Sequence, residues 1–184
     1  EKPELDLRVD VAGILANGIT RKASDVSRAT VIANSDMAIV TSVDYEGGPF
    51  QDSGPMPPKV GQATTYTVTL QVSNTSNEVH NAQASWYLPS YVTWMNAISP
   101  SVERTSVRYD EATRKVVWDL KTLRSGLGVG STARTLSFQV SVTPSLSQID
   151  DQVALTSEII MKGKDVWTET DLTYKKTAVE NRIL

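Results

Sequence analysis

The chain contains no cysteine and only one histidine, His80. Without thiols it cannot form a disulfide framework, a thiolate-bound zinc site, an iron–sulfur cluster or a cysteine nucleophile. A single imidazole also leaves almost nothing from which to build a serine–histidine–aspartate triad or a multi-histidine metal site. We therefore expect a protein that is not an enzyme, with no catalytic residues, no metal site and no cofactor.

Long apolar runs and a strong excess of one charge are lacking too. No run approaches the roughly 18 residues of a membrane span, and no signal peptide is recognisable at Glu1. The formal net charge of −3 gives no general attraction to nucleic acid or to anionic membranes. We expect no nucleic-acid partner, and we expect any export signal or membrane anchor to lie in segments outside these residues.

Valine, threonine and serine are abundant and make up 60 of the 184 residues. The β-branched residues among them favour strands. In 65–73 and in 135–143, apolar residues alternate strictly with threonine, serine and glutamine. A period of two places the two sets on opposite faces of a strand. The pattern predicts two half-buried antiparallel strands, each with a hydroxyl-rich face toward water.

Weaker copies of this alternation recur between residues 60 and 180. They predict about seven strands separated by turn residues, and no segment has the pattern of an amphipathic helix. Trp86 and Trp118 share the parity of the apolar positions on their strands, so we expect both to pack in the core. These features predict an all-β fold, an antiparallel β-sandwich with an additional N-terminal β segment.

The composition changes near residue 54. Residues 1–54 carry a net charge of −4 and residues 55–184 a net charge of +1. Glycine and proline are concentrated between 46 and 61, which is typical of a linker or a long loop. The predicted parts are an N-terminal β segment at 1–46, a linker or long loop at 47–58, and the sandwich at 59–184.

The N-terminal segment partly repeats the end of the chain. The aligned stretches are Leu5…Val9-x-Val11-x-Gly13 with Leu155…Ile159-x-Met161-x-Gly163. After a gap three residues longer, the stretch 29–34, which ends at Asn34, then matches the stretch 177–181, which ends at Asn181. Such a repeat predicts that the segment is the closing hairpin of a preceding repeat. The alternative is that it adds edge strands to the same sandwich.

Four short motifs follow one another between Lys59 and Asn181. They are Val60-Gly61-Gln62-x-x-Thr65-Tyr66-Thr67-Val68, Val72-Ser73-Asn74-Thr75-Ser76, Leu88-Pro89-x-x-Val92-x-Trp94, and Val117-Trp118-Asp119-Leu120-x-x-Leu123-x-Ser125-Gly126. In this order they resemble the conserved repeat domain of bacterial cell-surface proteins. The resemblance covers about two-thirds of the chain, and the longer 99–107 segment and the Gly126–Gly130 loop depart from the family pattern.

The resemblance implies an immunoglobulin-like sandwich of undefined function, serving as a non-catalytic stalk, spacer or adhesion module. It also implies an extracellular location at the bacterial cell surface. Neighbouring repeats of the same chain would be the partners, with other surface proteins or glycans as further candidates. The alternative function is a carbohydrate- or protein-binding accessory domain of an extracellular enzyme.

Exposed aromatic side chains are the candidates for a binding site, because sugar rings stack on their faces. Tyr91 and Trp94 follow Pro89, and Trp167 lies in a polar hairpin. We therefore take Tyr91, Trp94 and Trp167 as candidate ligand-binding residues. Packing in the fold is the alternative role for each of them.

Two covalent modifications are further hypotheses. Lys115 and Asn181 are candidates for a Lys–Asn isopeptide bond, which would serve mechanically where disulfides are absent. Asn74 begins a formal N-glycosylation sequon with Thr75 and Ser76.

Overall fold

Eleven strands make up most of the regular structure in the described residues, which are 5–29, 33–148 and 152–181 of the computed structural model. They form two units, Glu1–Asn34 and Ser35–Leu184. In chain order the strands are β1 (Leu5–Ile14), β2 (Thr20–Ala29), β3 (Met37–Asp44), β4 (Thr64–Asn74), β5 (Val79–Tyr87), β6 (Val92–Ser99), β7 (Val107–Asp110), β8 (Lys115–Leu123), β9 (Arg134–Val142), β10 (Ile159–Asp165) and β11 (Asp171–Lys176). None of the helical turns in these ranges is long and apolar enough to cross a membrane.

The first unit contains one hairpin. β1 pairs antiparallel with β2 along the full length of both strands, from Leu5 opposite Ala29 to Ile14 opposite Thr20. The two strands form a sheet of their own. All side chains described in this hairpin are exposed to solvent.

The second unit is an immunoglobulin-like β-sandwich of two antiparallel sheets. One sheet has five strands in the order β11-β10-β5-β8-β7, and the other has four in the order β3-β4-β9-β6. The strictly alternating stretches 65–73 and 135–143 correspond to β4 and β9, which are neighbours in the four-stranded sheet. The predicted all-β fold class is confirmed.

Apolar side chains on the inward faces of the strands form the core between the two sheets. In β4, Tyr66 is 1% exposed and Val68 is 0% exposed. Trp86 of β5 stacks on Phe138 of β9 with ring centroids 5.3 Å apart, so this contact joins the two sheets. Trp86 and Trp118 are both buried, as their parity predicted. Complete burial of each large apolar side chain contributes about 2 kcal/mol to folding.

The hydroxyl-bearing face of β4 is covered near the start of the strand, whereas the sequence predicts that it faces water. Thr65 and Thr67 are both buried. The loop between β3 and β4 lies against them: the Thr67 hydroxyl donates to Asp52 Oδ2 at 2.7 Å, and the Ser53 amide donates to Thr65 Oγ1 at 2.7 Å. Because buried hydroxyls need hydrogen-bond partners, these threonines anchor the loop.

The division between the two units lies earlier along the chain than the change in composition. β3 falls within the predicted segment 1–46, yet it pairs with β4 as an edge strand of the four-stranded sheet. Residues 47–58 connect these two paired strands, so they form a loop inside the second unit. That unit begins at Ser35 rather than at residue 59. The division between the two units follows from the pairing of β3 with β4, and a change in charge composition carries no information about strand pairing.

An ionic cluster centred on the buried Glu103 links the two sheets. Glu103 lies in the short 3₁₀ turn Ser101–Thr105, between β6 and β7. Its carboxylate accepts from the Arg134 guanidinium of β9 at 2.7 and 2.8 Å and from Trp118 Nε1 of β8 at 2.8 Å. Arg134 also donates to the Leu120 carbonyl oxygen at 2.6 Å. Burial by itself raises the pKa of Glu103, but the hydrogen bonds from Arg134 and Trp118 outweigh it and lower that pKa.

Replacing Glu103 with alanine should lower the free energy of unfolding by about 3 kcal/mol, because Arg134 and the Trp118 indole N–H lose their acceptor in a buried site. Urea unfolding followed by tryptophan fluorescence measures the effect. Glu111→Ala is the matched control, because Glu111 is exposed, and it should change the free energy by less than about 0.5 kcal/mol. Equal effects of the two changes would show that the ionic cluster adds no stability.

Candidate functional site

A cluster of buried polar groups holds the first residue of the second unit. Ser35 donates from its backbone N–H to Asp165 Oδ2 at 2.8 Å and from its hydroxyl to Asn74 Oδ1 at 2.7 Å. The amides of Ser76 and Asn77 donate in turn to Ser35 Oγ at 3.0 and 3.1 Å. We call Ser35, Asn74, Asn77 and Asp165 the Asp165 cluster. All four residues are buried, with exposures of 7% or less.

The Asp165 carboxylate accepts hydrogen bonds from three separate parts of the chain. Its donors are the Ser35 amide, Asn77 Nδ2 at 2.9 Å, and the amides of Trp167 and Thr168 at 2.9 and 3.0 Å. Burial alone raises the pKa of Asp165. The hydrogen bonds, led by that of the Ser35 amide, outweigh burial and lower the pKa below its ordinary value.

The side chain of Asn74 ties together the turns that follow β4 and β8. Nδ2 donates to the carbonyl oxygens of Asn77 at 2.7 Å and Arg124 at 3.0 Å, while Oδ1 accepts from Ser35. The amide is fully buried and bonded at both ends. Although Asn74 begins a glycosylation sequon, its side chain is not accessible to a glycan in the folded chain.

Two of the motifs that carry the family resemblance meet at this cluster. The backbone N–H of Gly126 donates to the Thr75 carbonyl oxygen at 2.6 Å, and the Ser125 hydroxyl donates to the Ser76 carbonyl oxygen at 2.5 Å. The second and fourth motifs are thus hydrogen-bonded to each other. Their residues build one end of the sandwich, which gives these turn sequences a structural role.

A second polar cluster holds the last described residues. Asn181 Oδ1 accepts from the backbone N–H of Val153 at 2.6 Å, and the backbone N–H of Asn181 donates to the Val153 carbonyl oxygen at 3.0 Å. Asn181 Nδ2 also donates to the Tyr66 hydroxyl at 3.4 Å. We call Asn181, Val153 and Tyr66 the Asn181 clamp. Asn181 is 1% exposed, so these bonds lie in the interior.

The Asp165 cluster and the Asn181 clamp lie at opposite ends of β4. Asn74 is the last residue of β4, and Tyr66 lies near its beginning. A strand rises about 3.3 Å per residue, which separates these two positions by about 26 Å along the strand. The chain therefore joins the sandwich at one end and reaches its last described residue at the other.

Trp94, one of the candidate ligand-binding residues, is half-buried on β6 and lines an open groove of about 540 Å³. Its ring packs against Tyr109 of β7, with centroids 5.6 Å apart, and against Phe138, with centroids 5.2 Å apart. Arg104 and Glu111 contribute charged side chains to the same groove. Much of the Trp94 ring is therefore used to bridge the two sheets.

Tyr91 and Trp167 have different surroundings from Trp94. Tyr91 is half-buried, and burial raises the pKa of its hydroxyl, with a hydrogen bond to the Ala154 backbone offsetting this in part. Trp167 lies in the turn between β10 and β11, where its amide donates to Asp165. No described contact joins the three aromatic residues into one platform. Their role in binding stays a prediction.

Neither an isopeptide pair nor a set of metal ligands is assembled by the described residues. Lys115 Nζ lies 5.8 Å from the centroid of the Tyr87 ring. The Asn181 amide group is engaged in the Asn181 clamp, so the geometry does not support a bond between Lys115 and Asn181. In the described part of the chain, no three acidic or histidine side chains are grouped closely enough to hold a metal ion.

Comparison with known proteins gives matches among solved structures alone. No family model matches the chain, and no curated protein matches it. A variant of BcpA, the major pilin subunit of Bacillus cereus, is 10% identical over 94% of this chain and 47% of the pilin, with a TM-score of 0.47. The full-length major pilin SpaD from Corynebacterium diphtheriae is 11% identical over 79% of this chain and 34% of that chain, with a TM-score of 0.45. The chain spans less than half the length of these pilins.

Replacing Asp165 with asparagine should lower the free energy of unfolding by about 2 kcal/mol near pH 7, because an amide cannot accept from all four donors. This loss should shrink in acid. The folded-state pKa of Asp165 lies below the ordinary value of 3.8, so its contribution is present above that value and is lost as the pH falls through the folded-state pKa. Urea unfolding of both proteins at neutral pH and at about pH 3 measures the difference.

The matched control for this change is Asp171→Asn, because Asp171 is exposed at the start of β11. It should leave the stability nearly unchanged at either pH. A loss for Asp165→Asn that has the same size in acid and at neutral pH would contradict a stabilising role of the ionised carboxylate.

Proposed function

We propose that residues 35–181 form a structural module of an exported bacterial surface protein, joined in series with other modules as part of a stalk or spacer. The observation that carries this proposal is the placement of the Asp165 cluster and the Asn181 clamp at opposite ends of β4. A module in series must receive the chain at one end and pass it on at the other. This arrangement of the two ends meets that requirement.

The direction of β3 supports a role in carrying tension. β3 begins beside the Asp165 cluster and pairs antiparallel with β4 over its full length. Tension between Ser35 and Asn181 therefore acts along these two strands, in the direction that slides one past the other. Several hydrogen bonds must then break together, whereas tension across the strands would break them one after another.

Hydrogen-bonded polar groups fix both ends without a covalent cross-link. The chain has no cysteine, although extracellular proteins commonly use disulfides for this purpose. The Asp165 cluster and the Asn181 clamp hold their segments through buried bonds, which water does not replace without unfolding the ends. The module thus relies on its core and these two clusters.

The surface location rests on the ordered motifs that resemble the conserved repeat domain of bacterial cell-surface proteins. The second and fourth of these motifs form the end of the sandwich that binds Ser35. Neighbouring modules of the same chain are the partners that this role requires.

Single-molecule pulling between positions 34 and 180 should test the serial role. Because the chain has no cysteine, Asn34→Cys with Glu180→Cys supplies the only two thiols for attachment, and both residues are exposed. We expect one cooperative unfolding event, because tension between these points slides β3 along β4.

The control pulls the same protein between Asn34→Cys and Arg124→Cys. Arg124 is exposed and its carbonyl oxygen accepts from Asn74, so both attachment points lie at the same end of the sandwich. Tension there separates the strands from one end and should unfold the protein at a lower force. A force for the 34–180 pair that does not exceed the control would contradict the serial role.

Immunolabelling should test the surface location. Antibodies raised against residues 35–181 should label intact cells that make the parent protein, and brief protease treatment of those cells should abolish the label while a cytoplasmic marker survives. Labelling that requires permeabilised cells would contradict a surface location. The pulling measurement tests the serial role independently of the surface location.

A further inference from the structure

The hairpin of β1 and β2 carries exposed apolar side chains. Val9 is 49% exposed and Val11 is 61% exposed. They are two residues apart in β1, so they share one face of the hairpin. A two-stranded hairpin is only marginally stable in water, and the adjacent apolar side chains of one of its strands are normally covered by a further sheet or a partner.

The same pattern occurs in a hairpin whose apolar face is covered. The aligned residues are Val9-x-Val11-x-Gly13 in β1 and Ile159-x-Met161-x-Gly163 in β10. β1 and β10 are each the first strand of an antiparallel hairpin. Ile159 and Met161 are 0% exposed in the core of the sandwich. Equivalent positions are therefore buried in the second hairpin and exposed in the first.

A glycine ends the pattern in both strands, Gly13 in β1 and Gly163 in β10, but only at Gly163 does a neighbouring atom exclude a side chain. At Gly163, a Cβ atom would lie 2.5 Å from Val79 Cγ1 of the neighbouring strand β5, which is too close for any side chain. At Gly13, no atom lies within 4 Å of the corresponding position. Neither glycine has a positive φ, so backbone conformation does not require glycine at either place. A strand packed beside β1 as β5 packs beside β10 would account for Gly13.

The end of the aligned region coincides with the division between the two units. With a gap that is three residues longer in the N-terminal stretch, Asn34 aligns with Asn181, the residue that forms the Asn181 clamp. The next residue, Ser35, begins the Asp165 cluster. The last residue of one repeat and the first residue of the next would thus be joined by a single peptide bond.

From these observations we propose that β1 and β2 are the closing hairpin of a second sandwich of the same kind, formed with chain N-terminal to them. A strand equivalent to β5 lies along the free edge of β1, Val9 and Val11 enter the core of that sandwich, and Gly13 accommodates the side chain equivalent to Val79. This inference rests on the proposed serial function and names its partner, a module of the same fold in the same chain.

Amide hydrogen exchange tests the proposal in two proteins: the 184-residue chain, and a longer piece of the parent protein that extends N-terminally by one module length. In the 184-residue chain, the amides of β1 should exchange at least about 100-fold faster than those of β10. In the longer protein, the amides of β1 should become as protected as those of β10, which serves as the internal reference in both.

Any one of the following results would overturn the proposal. Protection of β1 equal to that of β10 in the monomeric 184-residue chain would show that the hairpin is already covered there. Protection that rises with protein concentration would identify a second copy as the covering partner. Unchanged exchange in the longer protein, or a parent protein without a further strand-rich module at that position, would leave the hairpin with no such sandwich to close.

Substitutions on the two faces of β1 distinguish packing from a general effect of added charge. In the longer protein, Val11→Asp should lower the thermal midpoint of the N-terminal unit by about 5 °C or more, because it buries an unpaired carboxylate. Gly13→Val should act in the same direction. Ala12→Asp, on the opposite face, is the matched control and should leave the midpoint unchanged.

Neither aspartate variant should change the unfolding of residues 35–181 in the 184-residue chain. Equal shifts for Val11→Asp and Ala12→Asp in the longer protein would overturn the proposal. Pulling between positions 34 and 180 does not load the hairpin, so this inference can fail while the serial function of the second unit is upheld.

Discussion

The burial of one carboxylate determines how the second unit begins. An ionised carboxylate taken out of water needs replacement hydrogen bonds, and Asp165 finds four. Two come from its own turn, and the other two come from Ser35 and Asn77, which are 130 and 88 positions away along the chain. The start of β3 and the turns after β4 and β10 are thereby coupled, because movement of any one of them leaves a buried charge short of a partner.

Asparagine side chains also join separate segments of the chain at both ends of the sandwich. An amide donates and accepts at once, so Asn74 can join two turns to Ser35, and Asn181 can join Val153 to Tyr66. The ionic cluster of Glu103 adds a link between the sheets. Between these clusters the interior is apolar. Polar groups therefore fix the positions of the ends and edges, and apolar burial supplies most of the stability.

The pattern of apolar and polar residues predicted strands such as β4 and β9, whose two faces differ in polarity. It missed β3, whose two faces do not differ in this way. β4 and β9 alternate strictly, whereas β3 begins with four apolar residues in succession and adjoins a stretch rich in glycine and proline. Patterning also placed Thr67 on a solvated face, because alternation cannot reveal that a loop covers it. The Asp165 cluster could not be predicted for a related reason. Its members are polar, come from separate parts of the chain and meet only where the ends of the two sheets lie together. In the sequence, Asn74 stood out only as part of a turn motif and of a glycosylation sequon.

The hydrogen bonds of Ser35 fix the backbone at the first residue of the second unit. A glycine- and serine-rich linker adds many soft backbone dihedral angles between two bodies, and each residue contributes two. The proposed repeat leaves no residue between Asn34, the equivalent of Asn181, and Ser35 of the Asp165 cluster. The side chain and the backbone amide of Ser35 are both bonded in the interior, so they are held in place within the second unit. In the serial role that we propose, tension that enters at Ser35 would therefore act directly on the buried Asp165 cluster.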